Sequence, residues 1–185
     1  NSDAGLDTAP DLVLYRNSAS PAASDNLGNL EFRGENSGGT THAYAQVSAQ
    51  IQTVTDGAED GVLDLMTASG GTTASRLRLY GSFIGIGETT PTKPLHLTTS
   101  STGTQIQSEC TANDAGSGGD IVLFHRRGAS GAGLDNDVLS TVFFRGKNDN
   151  STPEELNYCA IEGSIVDATD ESEDGALKFK VEKAG

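Results

Sequence analysis

The sequence predicts an all-β fold of tandem antiparallel β-sandwich or β-prism modules. Three observations predict it. Apolar residues alternate with period two between turn signals, no stripe of helical period persists for the length a helix needs, and the whole strand pattern occurs twice.

The elements follow in chain order. Leu12 and Leu14, then Leu30 and Phe32, are short alternating runs with Arg or Glu between or beside them. Over Ala43 to Thr53 the odd positions Ala45, Val47, Ala49 and Ile51 form an apolar row and the even ones a polar row, Tyr44, Gln46, Ser48, Gln50 and Gln52. Leu63 and Leu65, Leu77 and Leu79, and Leu95 and Leu97 repeat the alternation, and acidic turns join the runs into an antiparallel meander.

The second half restates the first. Asp11 to Tyr15 (DLVLY) returns as Asp120 to Phe124 (DIVLF), and Leu27 to Asn36 as Leu139 to Asn148. Tyr44 to Ile51 matches Tyr158 to Ile165, and Thr55 to Leu63 matches Thr169 to Leu177, in the same order. The spacing grows only inside Asn17 to Asn26 and Ser37 to Ala43, loop-like stretches where insertions cost little. So long a period excludes a solenoid rung and indicates a duplicated domain. The predicted modules are residues 1–99, ending in a joint at Gly81 to Leu97, and 100–185, with a Ser- and Thr-rich linker at Thr98 to Gly103. The second module lacks counterparts of Arg76 to Leu97, which suggests a fragment of a longer parent chain, as does the start at Asn1.

Bulky core formers are scarce: 6 Phe, 4 Tyr and no Trp in 185 residues, with 23 Gly. A lone module therefore buries little apolar area against the entropy of ordering its chain, and association of identical copies is the expected remedy. A period-two row of Ala and Val suits strands that approach closely, at the axis of a three-fold assembly or inside a thin monomeric sandwich; the trimer is the reading taken.

With 26 acidic against 12 basic residues the formal charge is −14, which repels nucleic acid and anionic lipid. No run approaches the length of apolar sequence that spans a membrane as a helix, and Asn1 to Pro10 has no apolar leader pattern. Cys110 and Cys159 lie too far from other ligands to suggest zinc and are expected to be free, partly buried thiols.

The most specific segment is Gly81 to Leu97, GSFIGIGETTPTKPLHL. Gly85 and Gly87 flank Ile86, where backbone must pass closely or bend, and Pro91 and Pro94 stiffen the turn that follows. A phosphate-binding glycine loop needs a helix after it, and Glu88-Thr89-Thr90-Pro91 supplies none. The run Gly81, Ile84, Gly85, Ile86, Gly87, Thr90, Pro91, Pro94, Leu95, His96 resembles the G-x-V-G-I-G-T-x-x-P-x-x-x-L-H-V signature of phage tail-fibre and related appendage proteins, with Phe83 and Glu88 departing from it. Leu14 to Ser18, Phe32 to Gly34 and Asp56 to Gly61 are similar to the β-rich unit that precedes that signature in marine phage fibres. The resemblance implies a homotrimeric, elongated virion component, a shaft or connector that contacts other virion proteins, with a host-surface glycan or protein as the ultimate target. No cofactor is expected, and the charge and hydropathy read above point to no nucleic-acid partner and no membrane insertion.

Candidate sites are few. Asp56, Glu59 and Asp60 recur as Asp170, Glu173 and Asp174, and three such oxygens close together hold a hard cation such as calcium. The spacing does not fit an EF-hand, and Asp and Gly are equally the residues of solvated tight turns. Paired carboxylates also serve polysaccharide-cleaving tailspikes, but the chain lacks the aromatic platforms on which sugars stack. His42, His96 and His125 have no Ser, Cys or Asp partner at a telling spacing. Arg16, Arg33, Arg126 and Arg145 flank strands in matching places, as ion-pair partners of acidic neighbours, and Asn150-Ser151-Thr152 reads as a loop tip. The expected role is a non-enzymatic virion appendage, with a bacterial adhesin or extracellular filament as the alternative and a depolymerase as the third reading.

Overall fold

A computed structural model describes residues 12–100, 102–111, 120–126 and 131–182. Asn1 to Asp11, and with them the start of the first DLVLY motif, lie outside the described residues, as does Ser101 in the expected linker. The chain divides into two units, Asn1–Gln105 and Ile106–Gly185. All regular structure in the described residues is β, as the alternation predicts, and no helix is long and apolar enough to cross a membrane.

The first unit holds one six-stranded sheet in sequence order: β1 (Asn26–Glu35), β2 (Thr41–Thr53), β3 (Asp60–Ser69), β4 (Thr72–Tyr80), β5 (Phe83–Ile86) and β6 (Leu95–Leu97). The strands form where β-branched and aliphatic residues recur at period two, and they stop at turn residues. Asn36 closes the β1–β2 turn by accepting the Gly38 and Thr40 N–H groups on its side-chain oxygen, both at 2.9 Å. The second unit holds one three-stranded sheet, β7 (Val138–Lys147), β8 (Glu155–Asp167) and β9 (Asp174–Val181).

β7 to β9 repeat the arrangement of β1 to β3 in detail. Val47 lies opposite Leu30 and Leu65, and its sequence counterpart Ile161 lies opposite Val142 and Phe179. Register shifts fall at Phe32/Arg33 and Ile51/Thr53 in one sheet and at Phe144/Arg145 and Ile165/Asp167 in the other. The left-handed residues recur too, Ser24 (φ 69°) with Asn136 (φ 68°) and Gly57 (φ 77°) with Glu171 (φ 69°).

Three expectations are corrected. Each unit contains a single sheet among the described residues and not the two facing sheets of a sandwich; the alternation correctly marks an apolar face, which no second sheet covers among those residues. β5 and β6 pair in parallel, not as a continued meander, because residues 87–94 cross over the sheet before β6 begins. Leu12 to Tyr15 and Ile121 to Phe124 are not strands: no backbone partner lies beside them in the described residues.

Candidate functional site

Register places every odd residue of the β2 row on one face with its neighbours. One row across the first sheet reads Leu30, Val47, Leu65, Leu77, Ile86, Leu97, and the next reads Gly28, Ala49, Leu63, Leu79, Ile84, Leu95. Phe32 and Ala45 extend it. The face carries no charge in these rows, yet it is open: Phe32 is 55% exposed, Leu30 50%, Leu65 42% and Leu95 58%. With their half-buried neighbours these side chains leave on the order of 800 Å² of apolar surface in solvent, about one partner's share of a standard protein interface. The second sheet presents the equivalent surface, Val142, Phe144, Ile161, Phe179 and Val181, with Cys159 and Gly163 in the places of Ala45 and Ala49. Phe179 and Val181, on the sheet's outer strand, are 75% and 81% exposed.

Burial is found on the other face. The buried apolar side chains on the strands are Val62 and Ala160 alone among the described residues, whereas Ser48, Asp64, Glu162 and Ser164 are all buried. Asp64 is 2% exposed and accepts from Arg78 Nε at 2.8 Å, Arg78 Nη2 at 2.7 Å and Ser75 Oγ at 2.6 Å. Burial alone pushes the Asp64 carboxyl up; the hydrogen bonds from Arg78 and Ser75 and the guanidinium charge outweigh it and hold the group below the usual carboxylate range. Its bond to Asp64 in turn raises Arg78. In the second unit the acid sits one strand over: Glu162, the counterpart of Ser48, pairs with Lys180 and lies 3.8 Å from Lys178, the counterpart of Asp64, and the Lys180 bond lowers its pKa.

The glycine motif belongs to the same face. Arg78 Nη1 donates to the Thr89 carbonyl at 2.9 Å, which ties the crossover to β4. A Cβ on Gly85 would stand 2.2 Å from the Glu88 carbonyl oxygen, and one on Gly87 (φ 67°) would stand 2.3 Å from that of Thr98. Both glycines thus permit the close backbone passage read from the sequence, and Pro91, within the crossover, is buried. His96 touches Thr98 and the Thr92 N–H, a local role.

The acidic turns do not assemble a cation site. Asp56, Glu59, Asp60, Asp170, Glu173 and Asp174 are exposed, and no group of three His, Cys, Asp or Glu among the described residues is placed to hold a metal. Glu59 accepts the Gly57 N–H at 3.2 Å, while Ala58 N and Ser172 N close the two turns on Thr55 O and Thr169 O, at 2.9 and 3.0 Å. Turn geometry accounts for the repeated motif. Arg16 pairs with Asp25 at 3.1 Å, Arg33 with Glu31, and Arg145 with Glu155 at 2.9 Å. His42 is half-buried, whereas His125 and Arg126 are exposed. Cys159 is half-buried as expected, but Cys110 is exposed, and both are free. Asn150 to Thr152 lie in the loop between β7 and β8.

The buried Asp64 to Arg78 pair was not foreseen from the sequence. Its signal was there: each residue sits alone between two leucines, so a charge occurs on a strand whose neighbours are all apolar. No protein-family model and no curated protein matches the chain.

Proposed function

We propose that the chain is a structural, non-enzymatic shaft or connector of a phage fibre, in which identical copies, three to a fibre, cover one another's apolar sheet faces. The observation that carries this reading is the inversion of burial: polar side chains lie in the interior of each unit while the aliphatic and aromatic rows face water. Apolar rows of this extent call for a covering surface, and a second copy presents a matching charge-free one. The Gly81 to Leu97 resemblance supports the phage assignment, with the virion as location, other virion proteins as neighbours and a host-surface glycan or protein as the target held at a distance.

Native mass spectrometry of the protein tests the assembly, with three chains per particle expected and a single chain overturning it. Immunogold labelling with an antibody to the chain tests location: labelled virion appendages are expected, whereas label confined to bacterial surface filaments would transfer the reading to an adhesin built on the same surface.

A further inference from the structure

Two short apolar segments lie outside the strands of their own sheets. Leu12, Val13, Leu14 and Tyr15 are 81, 77, 54 and 80% exposed, and Ile121, Val122, Leu123 and Phe124 are 75, 82, 53 and 81% exposed. The profile is the same in the two units: the third side chain is the most covered and the other three stand in solvent. Such a run, aliphatic and aromatic without a charge, has the composition of a buried strand.

Each segment is fastened at a corner of its own sheet. Leu14 lies against Gly28, where a Cβ would stand 2.7 Å from Leu14 Cδ1, and Gly28 shares the apolar face with Ala49. Arg16 holds the end of the segment through Asp25 at 3.1 Å and the Asn26 carbonyl at 3.1 Å. In the second unit Phe124, His125 and Arg126 line one cavity with Asp137, Leu139 and Ile165, the sequence counterparts of Asp25, Leu27 and Ile51. The second segment thus ends beside the corner of its sheet that corresponds to the one holding the first.

We infer that these segments are interchain straps: Leu12 to Tyr15 and Ile121 to Phe124 of one copy lie on the apolar face of a second copy. The inference rests on the assembly of identical copies proposed above. The sheet that takes Leu14 does not cover Leu12, Val13 and Tyr15, so another surface must. The three outward side chains of the two segments together offer on the order of 900 Å² of apolar area, comparable to one partner's share of a standard interface, and the occupied surface is a charge-free sheet face that the second copy leaves open. At −14 per copy, attraction between copies comes from such neutral surfaces.

The test replaces Tyr15, or in a second preparation Phe124, with the photo-crosslinking residue benzoylphenylalanine in the full chain, and irradiates the protein after its solution mass has been measured. Expected is a covalent product of two chain masses on a denaturing gel, with the link mapped to peptides of β1 to β6 or β7 to β9 that carry the apolar rows. An assembled protein whose links all stay within one chain, or that yields no two-chain product, overturns the straps and leaves the assembly standing. A solution mass of one chain overturns both.

Discussion

Arg78 grips Asp64 with two parallel hydrogen bonds, 2.8 and 2.7 Å long, across two neighbouring strands, and its remaining nitrogen reaches the crossover backbone at Thr89. A planar fork fits a carboxylate in this way where an ammonium does not. The pair therefore locks β3, β4 and the glycine-rich crossover into one register. Removing one partner strands the other in a buried place, so Asp64→Ala is expected to destabilise the protein by about 3 kcal/mol, read by denaturant unfolding. The double variant Asp64→Leu with Arg78→Met restores an apolar pair of similar volume and is expected to recover most of that loss; no recovery would show that the fork itself is needed for folding.

Acid weakens both units. Asp64, Glu88, Glu162 and Asp167 are all held below the ordinary carboxylate range in the folded chain by the hydrogen bonds they accept. For a lowered carboxyl the stabilisation is complete above the unfolded value and is lost as pH falls through the folded one. Unfolding free energy is thus expected to drop below about pH 4. Because protonation also relieves the general negative charge, the clean measurement is the gap between the parent protein and Asp64→Asn, which should be largest above about pH 5 and close toward about pH 2. A gap that stays constant across that range refutes the role given to Asp64.

The two glycines of the crossover differ in kind from a glycine of the open face. Gly85→Ala drives a methyl group into the Glu88 carbonyl, and a loss of about 2 to 3 kcal/mol is expected, together with fast amide exchange at Thr98, whose N–H donates to Ile86 O at 3.0 Å. Gly163→Ala meets no atom within 4 Å and only restores the residue found at Ala49, so it should change chain stability by less than about 0.5 kcal/mol.

Alternation alone made the strands and their apolar side legible. Ala45, Val47, Ala49 and Ile51 lie on one face because a strand's period is two, whatever surrounds it. What covers that face is a long-range matter, and for this reason the alternation predicts a sandwich or prism module without showing that one copy contributes a single open sheet among the described residues. Leu12 and Leu14 show the same limit: the pattern is strand-like, but a strand needs a backbone partner that residues 12–16 do not have among the described residues. The Asp64 to Arg78 fork lay out of reach for a related reason, since only the register of β3 on β4, set partly by an irregularity between Leu65 and Met66, brings the two together. By contrast the crossover glycines were readable, because their requirement is local.

Comparison of the two units also locates a strained position. Glu171 adopts φ 69° at the turn where the first unit has Gly57 at φ 77°. A side chain in that conformation costs about 1 kcal/mol, and glycine returns part of it as backbone entropy. Glu171→Gly is expected to stabilise the second unit by about 0.5 kcal/mol, and Gly57→Glu to weaken the first by a similar amount, both read as shifts of the unfolding midpoint. A stabilising Gly57→Glu would mean that the turn relaxes away from the left-handed region.

The apolar rows offer the sharpest contrast between the two faces of one strand. Leu65 and Asp64 are neighbours in sequence; Leu65 is 42% exposed on the charge-free side and Asp64 is 2% exposed on the other. In an isolated chain Leu65→Lys should be nearly neutral, since the side chain already stands in water and its long stem can lie along the sheet. In an assembly that buries Leu65, the same ammonium must be desolvated without a partner, at several kcal/mol per copy, and the copies come apart. Sedimentation equilibrium of Leu65→Lys is therefore expected to show single chains with the parent's strand content by circular dichroism, while Gln50→Lys, on the opposite face, keeps the parent's mass. Should Leu65→Lys assemble as the parent does, the open rows of β3 are not where copies meet.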